Sequence, residues 1–399
     1  MRAASVSAAS LHDVIRGDSG CAYNRGALQD PLMEDHEMTN RRQFLQRSAA
    51  GLCFVGCGLG GAAHAQAPGA GKRDVVINGK RAFTIDVHAH CQIPAALQLA
   101  GDARLAKVAK TTIAYPGLQQ VAGDRLREMD AQGIDMQALS INPVWYAWER
   151  DLCEKVIDIN NETLASFVAQ HPDRFVAFAS VSLQYPDLAV AQLEKAIKRL
   201  NLRGVAVGGS VDGSDFSDPK FNPVWAKCEE LGILVFIHPA STPELANRFK
   251  GNGVLSNVIG NPLDTTLALS HLIFDGTLDK YPGLKILAAH GGGYIGSYGP
   301  RSDHGCLVFP EQCNRQLKKR PTEYLRDIYV DNIVFTPEAM RHLNAELGYE
   351  RVMLGSDFPY PWEKHSVDVI LDAPGATDEQ KLAMLGGTAA KLLRINARQ

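Results

Sequence analysis

Short apolar runs recur from about residue 74 to the end of the chain, separated by longer stretches with helical spacing. The strand-like runs are Ala82–His90, Met136–Ile141, Phe175–Ser180, Gly204–Val207, Leu234–His238, Lys285–His290, Ile328–Asp331 and Val352–Asp357. Between them, Leu188–Leu200, Pro223–Leu231 and Thr265–Leu278 carry helix-like patterns. Gly232 and Gly348 stand where helices should stop, because glycine accepts the left-handed backbone that ends a helix. Strands alternating with helices in this way predict a single α/β domain, a (β/α)8 TIM barrel. An open doubly wound sheet would need a glycine-rich dinucleotide turn after its first strand, and His88-Ala89-His90 takes that place. The chain contains no internal repeat.

The pattern breaks in the same way at several strand ends. Ile85-Asp86-Val87-His88-Ala89-His90 closes the first run with two histidines whose i, i+2 spacing puts them on one face of a strand. An isolated His-x-His is as often an ordinary histidine pair as half of a metal site. Here, however, the fifth run ends at His238, the sixth at His290 and the eighth at Asp357. In a barrel these ends converge on one rim, where active sites lie. Neutral imidazoles and one carboxylate suit Zn2+ or another divalent first-row metal and leave positions open for water and substrate. His290, followed by Gly291-Gly292-Gly293, is assigned to general acid/base work rather than ligation.

Composition adds limits. The chain has 399 residues, is 45% hydrophobic and carries a formal net charge of -3, so no charge excess points to nucleic acid. Residues 1–65 are read as an extension and export signal. Arg41-Arg42 precedes Phe44-Leu45, a glycine-rich apolar stretch follows, and Ala63-His64-Ala65 offers a cleavage site. This predicts twin-arginine export to the periplasm. Met38 would serve as an alternative start, and a lipoprotein reading through Phe54-Val55-Gly56-Cys57 is the weaker variant. The apolar core is too short and too rich in glycine for a span of about 20 residues, so no membrane span is expected in the mature chain. Residues 66–73 read as a linker and 74–399 as the barrel domain. Outside the signal, Cys91, Cys153, Cys228, Cys306 and Cys313 form an odd and scattered set, which argues against a complete disulfide framework. Cys306 and Cys313 are near enough in sequence to pair.

The motifs Asp86-Val87-His88-Ala89-His90, Ile237-His238-Pro239, Ala289-His290-Gly291-Gly292-Gly293 and Leu354-Gly355-Ser356-Asp357-Phe358-Pro359 resemble those of the amidohydrolase superfamily. Within it they resemble the branch of aminocarboxymuconate-semialdehyde decarboxylase. Arg127-Glu128-Met129-Asp130, His171-Pro172-Asp173-Arg174-Phe175 and Arg301-Ser302-Asp303 match the pattern too, so the resemblance spans the mature chain. It implies a TIM barrel of the metal-dependent hydrolase type with one catalytic metal, usually zinc, held by His88, His90, His238 and Asp357. It implies that His290 handles the metal-bound water or protonates the substrate carbon. It also implies that Arg301 binds a substrate carboxylate, often across a homodimer; an ion pair with Asp303 explains that arginine equally well.

The fourth run ends without a lysine or glutamate that would bridge two metals, which favours a mononuclear site. His-x-His rather than Glu-x-His points to the muconate-semialdehyde enzyme. Lys110–Gln120, however, lacks the family's second carboxylate anchor and holds Tyr115 and Gln119 instead. Trp145, Tyr146 and Trp148 follow the second run and are candidates for stacking on a planar substrate, with core packing as the other reading for Trp148. His271 is expected to be structural, His304 and His365 are loop candidates, and Asn142 and Asn160 are candidates for orienting ligands. The function implied is a metal-dependent decarboxylase, a carbon–carbon lyase, of an aromatic or dienoic small-molecule carboxylate. The alternative is a metal-dependent hydrolase of a lactone, amide or C–C bond.

Overall fold

Eight parallel strands follow one another around a single sheet in chain order: β1 (Ile85–His90), β2 (Met136–Ser140), β3 (Phe175–Ala179), β4 (Gly204–Val207), β5 (Leu234–Ile237), β6 (Lys285–Ala288), β7 (Ile328–Asp331) and β8 (Val352–Met353). The computed structural model describes residues 71–101, 124–239, 242–313, 317–362 and 364–396, all within the unit Ala65–Gln399. The predicted export segment, residues 66–70 of the linker, and Lys110–Gln120 with Tyr115 and Gln119 lie outside the described residues. The ring closes just beyond β8. Val87 N donates to Leu354 O (2.8 Å), Asp357 N to His88 O (2.9 Å) and His90 N to Phe358 O (2.7 Å). The result is the predicted TIM barrel.

Alternation along the strands separates two apolar layers. Ile85, Val87, Ala138, Phe178, Phe236, Leu287 and Met353 fill the barrel interior, with Leu392 and Leu393 packed into the same cluster. Their neighbours Leu139, Ala177, Val205, Val235, Ile286 and Val330 belong to the outer cluster shared with the helices. Those helices include α1 (Asp124–Gln132), α2 (Arg150–Gln170), α3 (Pro186–Lys198), α4 (Asn222–Leu231), α5 (Asn261–Phe274), α6 (Ile295–Val308) and α7 (Pro337–Leu347). α4 stops at Gly232, which takes φ 60°, as its position predicts. Among the described residues no helix is long and apolar enough to cross a membrane.

Several boundaries differ from the sequence reading. The run at Ala82 becomes a strand only from Ile85, and a short hairpin pairing Val76–Ile77 with Lys80–Arg81 precedes it. The eighth strand ends at Met353, because the next residues turn to close the ring against β1. The helix expected over Thr265–Leu278 starts earlier, at Asn261, and breaks after Phe274 before a separate turn, Thr277–Lys280. Cys306 and Cys313 form a disulfide at the end of α6, while Cys91, Cys153 and Cys228 are buried and outside any disulfide.

Candidate metal centre

The mouth of the barrel is built from strand ends, and β1 does the unusual part. Ile85 and Val87 face the interior, so strict alternation would turn His88 away from it. The register of β1 against β2 shifts between Asp86 and Ala89. Such an irregularity re-aims the side chains that follow it, and the His88 ring lies 5.0 Å from that of interior Phe236. His238 follows β5 directly. Asp357 sits beyond β8 in a left-handed conformation (φ 58°) that turns its carboxylate inward.

One ligand atom from each of His88, His90, His238 and Asp357 lies within 4.8 Å of the others, and all four residues are buried. His88 Nε2 and His90 Nε2 face each other at 3.0 Å, and Asp357 Oδ1 is 3.1 Å from the first and 2.9 Å from the second. Both ring nitrogens of His238 are buried without a hydrogen-bond partner. Opposed imidazole nitrogens, an orphaned histidine and an inward carboxylate are the donor set of a divalent cation. The chain therefore contains a buried metal-binding site.

Charge points the same way. Burial opposes protonation of His88, but the Asp357 and Asp331 carboxylates outweigh it and push that imidazole up to about 10. Burial pulls His90 down to about 4 and His238 well below the usual histidine range. Asp357 is also desolvated, yet the His88 charge and its hydrogen bonds hold it well below the usual carboxylate range. Without a cation the centre thus sets an ionised Asp357 and a protonated His88 beside neutral His90 and His238, so one positive charge is drawn into it.

Around these residues lies a polar frame that the strand-end pattern does not name. Asp331, the last residue of β7, accepts from His88 Nδ1 (2.6 Å) and the His290 amide (2.9 Å) on one oxygen. Its other oxygen accepts from the amides of Gly291 (2.9 Å) and Ile333 (3.1 Å). One carboxylate therefore aims a ligand and anchors the turn carrying His290. That turn needs the anchor, since His290 has φ 57° and Gly291, Gly292 and Gly293 are left-handed too. Only glycine fits at 293, where a Cβ would stand 2.2 Å from the Pro262 carbonyl oxygen. On the other side of His88, Asp86 accepts from Ser356 Oγ (2.6 Å), Gln137 Nε2 (2.9 Å) and the His88 amide (3.0 Å). Arg125 donates to Gln137 Oε1 (3.0 Å) and the His90 carbonyl (2.5 Å).

A cavity of about 930 Å³ opens from the centre, with His90, His238, His290 and Asp357 in its floor. His290 Nε2 is 3.7 Å from Asp357 Oδ2, outside the ligand cluster but beside it. Trp145 and Trp148 line the wall; the Trp145 indole N–H is held by the Val181 carbonyl at 2.9 Å. Tyr146 turns away, accepting from the Gly208 amide at 3.1 Å. Asn142 and Asn160 line the cavity and make no hydrogen bond to a ligand among the described residues, which corrects the orienting role expected of them. Arg301 is exposed on α6 and is not among the described residues lining this cavity. The Asp303 carboxylate does not serve it either, and accepts from Thr322 N (2.9 Å) and Oγ1 (2.6 Å). His271 lies between Asp275 (2.8 Å) and Asp215 (3.3 Å) on the surface, a structural arrangement. His304 and His365 are exposed outside the cavity.

Removing the cation should be visible as lost stability. Ligand linkage predicts about 4 kcal/mol between stripped protein and protein at a thousandfold excess of metal over Kd. Calorimetric melting with and without a chelator measures it, and coincident transitions would count against a resident cation.

Known proteins share this architecture. A family model described as Amidohydrolase matches residues 85–395. The chain is 31% identical over 278 residues to a 2-amino-3-carboxymuconate-6-semialdehyde decarboxylase of Dictyostelium discoideum, covering 68% of this chain and 76% of that one. Among solved structures it is similar to a 5-carboxyvanillate decarboxylase from Sphingomonas paucimobilis, with a TM-score of 0.72, 26% identity, and 79% and 99% of the two chains covered. It also shares its fold with a dihydroxybenzoic acid decarboxylase from Polaromonas sp. JS666 solved with bound manganese, with a TM-score of 0.69, 22% identity, and 79% and 98% covered.

Proposed function

This chain belongs to the amidohydrolase family, in the branch resembling aminocarboxymuconate-semialdehyde decarboxylase, and from that premise we propose that it is a metal-dependent decarboxylase of an aromatic or dienoic carboxylate. The observation that carries the reading is the buried His88, His90, His238 and Asp357 cluster with His290 beside it at the floor of the cavity. A divalent cation held there supplies Lewis-acid polarisation of the substrate. The donor set of three histidines and one carboxylate supports zinc.

The protein's own groups supply the rest. His290 delivers a proton to the substrate carbon that bears the scissile carboxylate. The bond from that carbon to the carboxylate then breaks, its electron pair returns to the ring or diene, and CO2 leaves. Trp145 and Trp148 give the planar substrate an apolar wall. Burial of His90, His238 and Asp357 limits the water that could compete for the proton.

The test is CO2 release from a panel of aromatic and dienoic carboxylates by zinc- or manganese-loaded protein. Turnover with release of CO2 is expected. Turnover of esters, lactones or amides without CO2 would replace the reading with a hydrolase. The reading also includes twin-arginine export to the periplasm, supported by Arg41-Arg42, and the Cys306–Cys313 disulfide suits an oxidising compartment. It includes a homodimer in which exposed Arg301 serves the partner's site. Cell fractionation and sedimentation test these two points; a cytoplasmic or monomeric enzyme would remove them.

A further inference from the structure

Two consecutive asparagines on α2 share a sequence context and a degree of burial but not a role. Asn160 and Asn161 are each 3% exposed. Asn161 is fully engaged: its Nδ2 donates to the Ser180 carbonyl (3.0 Å) and its Oδ1 accepts from the Ser180 amide (2.8 Å). The Asn160 carboxamide makes no hydrogen bond among the described residues and lies in the cavity wall, one helical turn from Val156, which lines the same wall. The carboxamide atoms are not among the sealed, unpartnered polar atoms of the described residues, so they reach the cavity, and a group bound there can serve as their partner. Here the open side of the group faces the cavity that leads from the metal centre.

The charge of that cavity narrows what would satisfy it. Among the described lining residues there is no lysine, arginine or glutamate, and Asp357 is the only aspartate. Away from the centre the wall is apolar or neutral, as at Ile141, Val156 and Trp145. A second carboxylate placed there would lose its hydration and meet no described cation of its own chain in return, while Arg301 from a second copy is left to the reacting carboxylate. A carboxamide both donates and accepts, so it matches a hydroxyl, carbonyl, amide or neutral amine.

We propose that Asn160 is a specificity-determining residue that hydrogen-bonds a neutral polar substituent, and that the substrate is a monocarboxylate bearing such a group rather than a dicarboxylate. The inference rests on the decarboxylase reading for the place of the reacting carboxylate, at the metal end of the cavity.

Matched ligands test it by calorimetric binding to metal-loaded protein. meta-Carbamoylbenzoate is compared with isophthalate, para-carbamoylbenzoate with terephthalate, and benzoate serves as reference. At least one amide is expected to bind about tenfold tighter than its dicarboxylate partner, the scale of one satisfied hydrogen bond against a desolvated charge. Asn160→Leu, close in volume and unable to hydrogen-bond, should abolish most of that preference and leave benzoate binding within about twofold. Asn160→Ala serves if leucine does not fold. Dicarboxylates that bind as tightly as the amides, amides that do not bind at all, or a preference unchanged in the variants would each overturn the proposal. CO2 release is scored separately on the carboxylate panel. Its absence, with the binding preference intact, would count against the decarboxylase reading and leave the role of Asn160 standing.

Discussion

Replacing His290 with asparagine is expected to lower turnover about 10²–10⁴-fold, the usual contribution of a positioned acid or base, while the protein keeps its metal. The separation of the two effects follows from geometry. The ligand cluster is complete without His290, whose Nε2 stands 3.7 Å from the Asp357 carboxylate. Its backbone, not its ring, is tied to Asp331. Asparagine tolerates the left-handed conformation that position 290 requires, so the turn should survive the change. What disappears is the imidazole that hands the proton to the substrate carbon. Metal content by elemental analysis and turnover by CO2 evolution read the two quantities apart. Full activity in the variant, or loss of metal in step with activity, would remove His290 from the role of proton donor.

Asp331→Asn should damage both halves of the centre at once. The carboxylate accepts hydrogen bonds on both oxygens, two on each. An amide nitrogen accepts none, so one of the two pairs must be lost. If the pair shared by His88 and His290 is lost, the His88 ring loses the contact that keeps its Nδ1 protonated and its Nε2 bare. Metal affinity is expected to fall about ten- to a hundredfold, as for other groups that orient metal-bound histidines. Turnover should stay depressed even at saturating metal, because the turn carrying His290 loses its anchor as well. Competition with a chelator measures the first effect, and turnover against added metal measures the second. Complete rescue by excess metal would confine Asp331 to His88, and an unchanged affinity would exclude it from both.

The barrel was legible because the same local signal repeats: an apolar run, then a turn, then a helix. The strands at Gly204–Val207 and Ile328–Asp331 fall where the pattern puts them. Others stop early for a physical reason. His238 and His290 continue an apolar run in sequence, but each leaves the strand ladder to face the mouth. The positions of His88, His90, His238, His290 and Asp357 follow from their shared place at strand ends. Asp331 occupies the same kind of place at the end of β7, and asking of it what was asked of Asp357 would have found it. Other features have no local signature. The register shift in β1 depends on how it pairs with β2, and the different fates of Asn160 and Asn161 depend on Ser180, a buried residue just beyond β3 that bonds Asn161 alone of the two.

The seam of the barrel also fixes when the protein becomes competent. His88 and His90 come from the first strand, whereas Asp357 arrives beyond the eighth, and the same few residues both complete the ring and complete the ligand set. A nascent chain still missing its last strand has histidines but no closing carboxylate, and the hydrogen bonds that hold β1 from that side are absent. The complete ligand set therefore forms only once the final strand is in place, and a product ending before it would lack both the closing hydrogen bonds and the carboxylate.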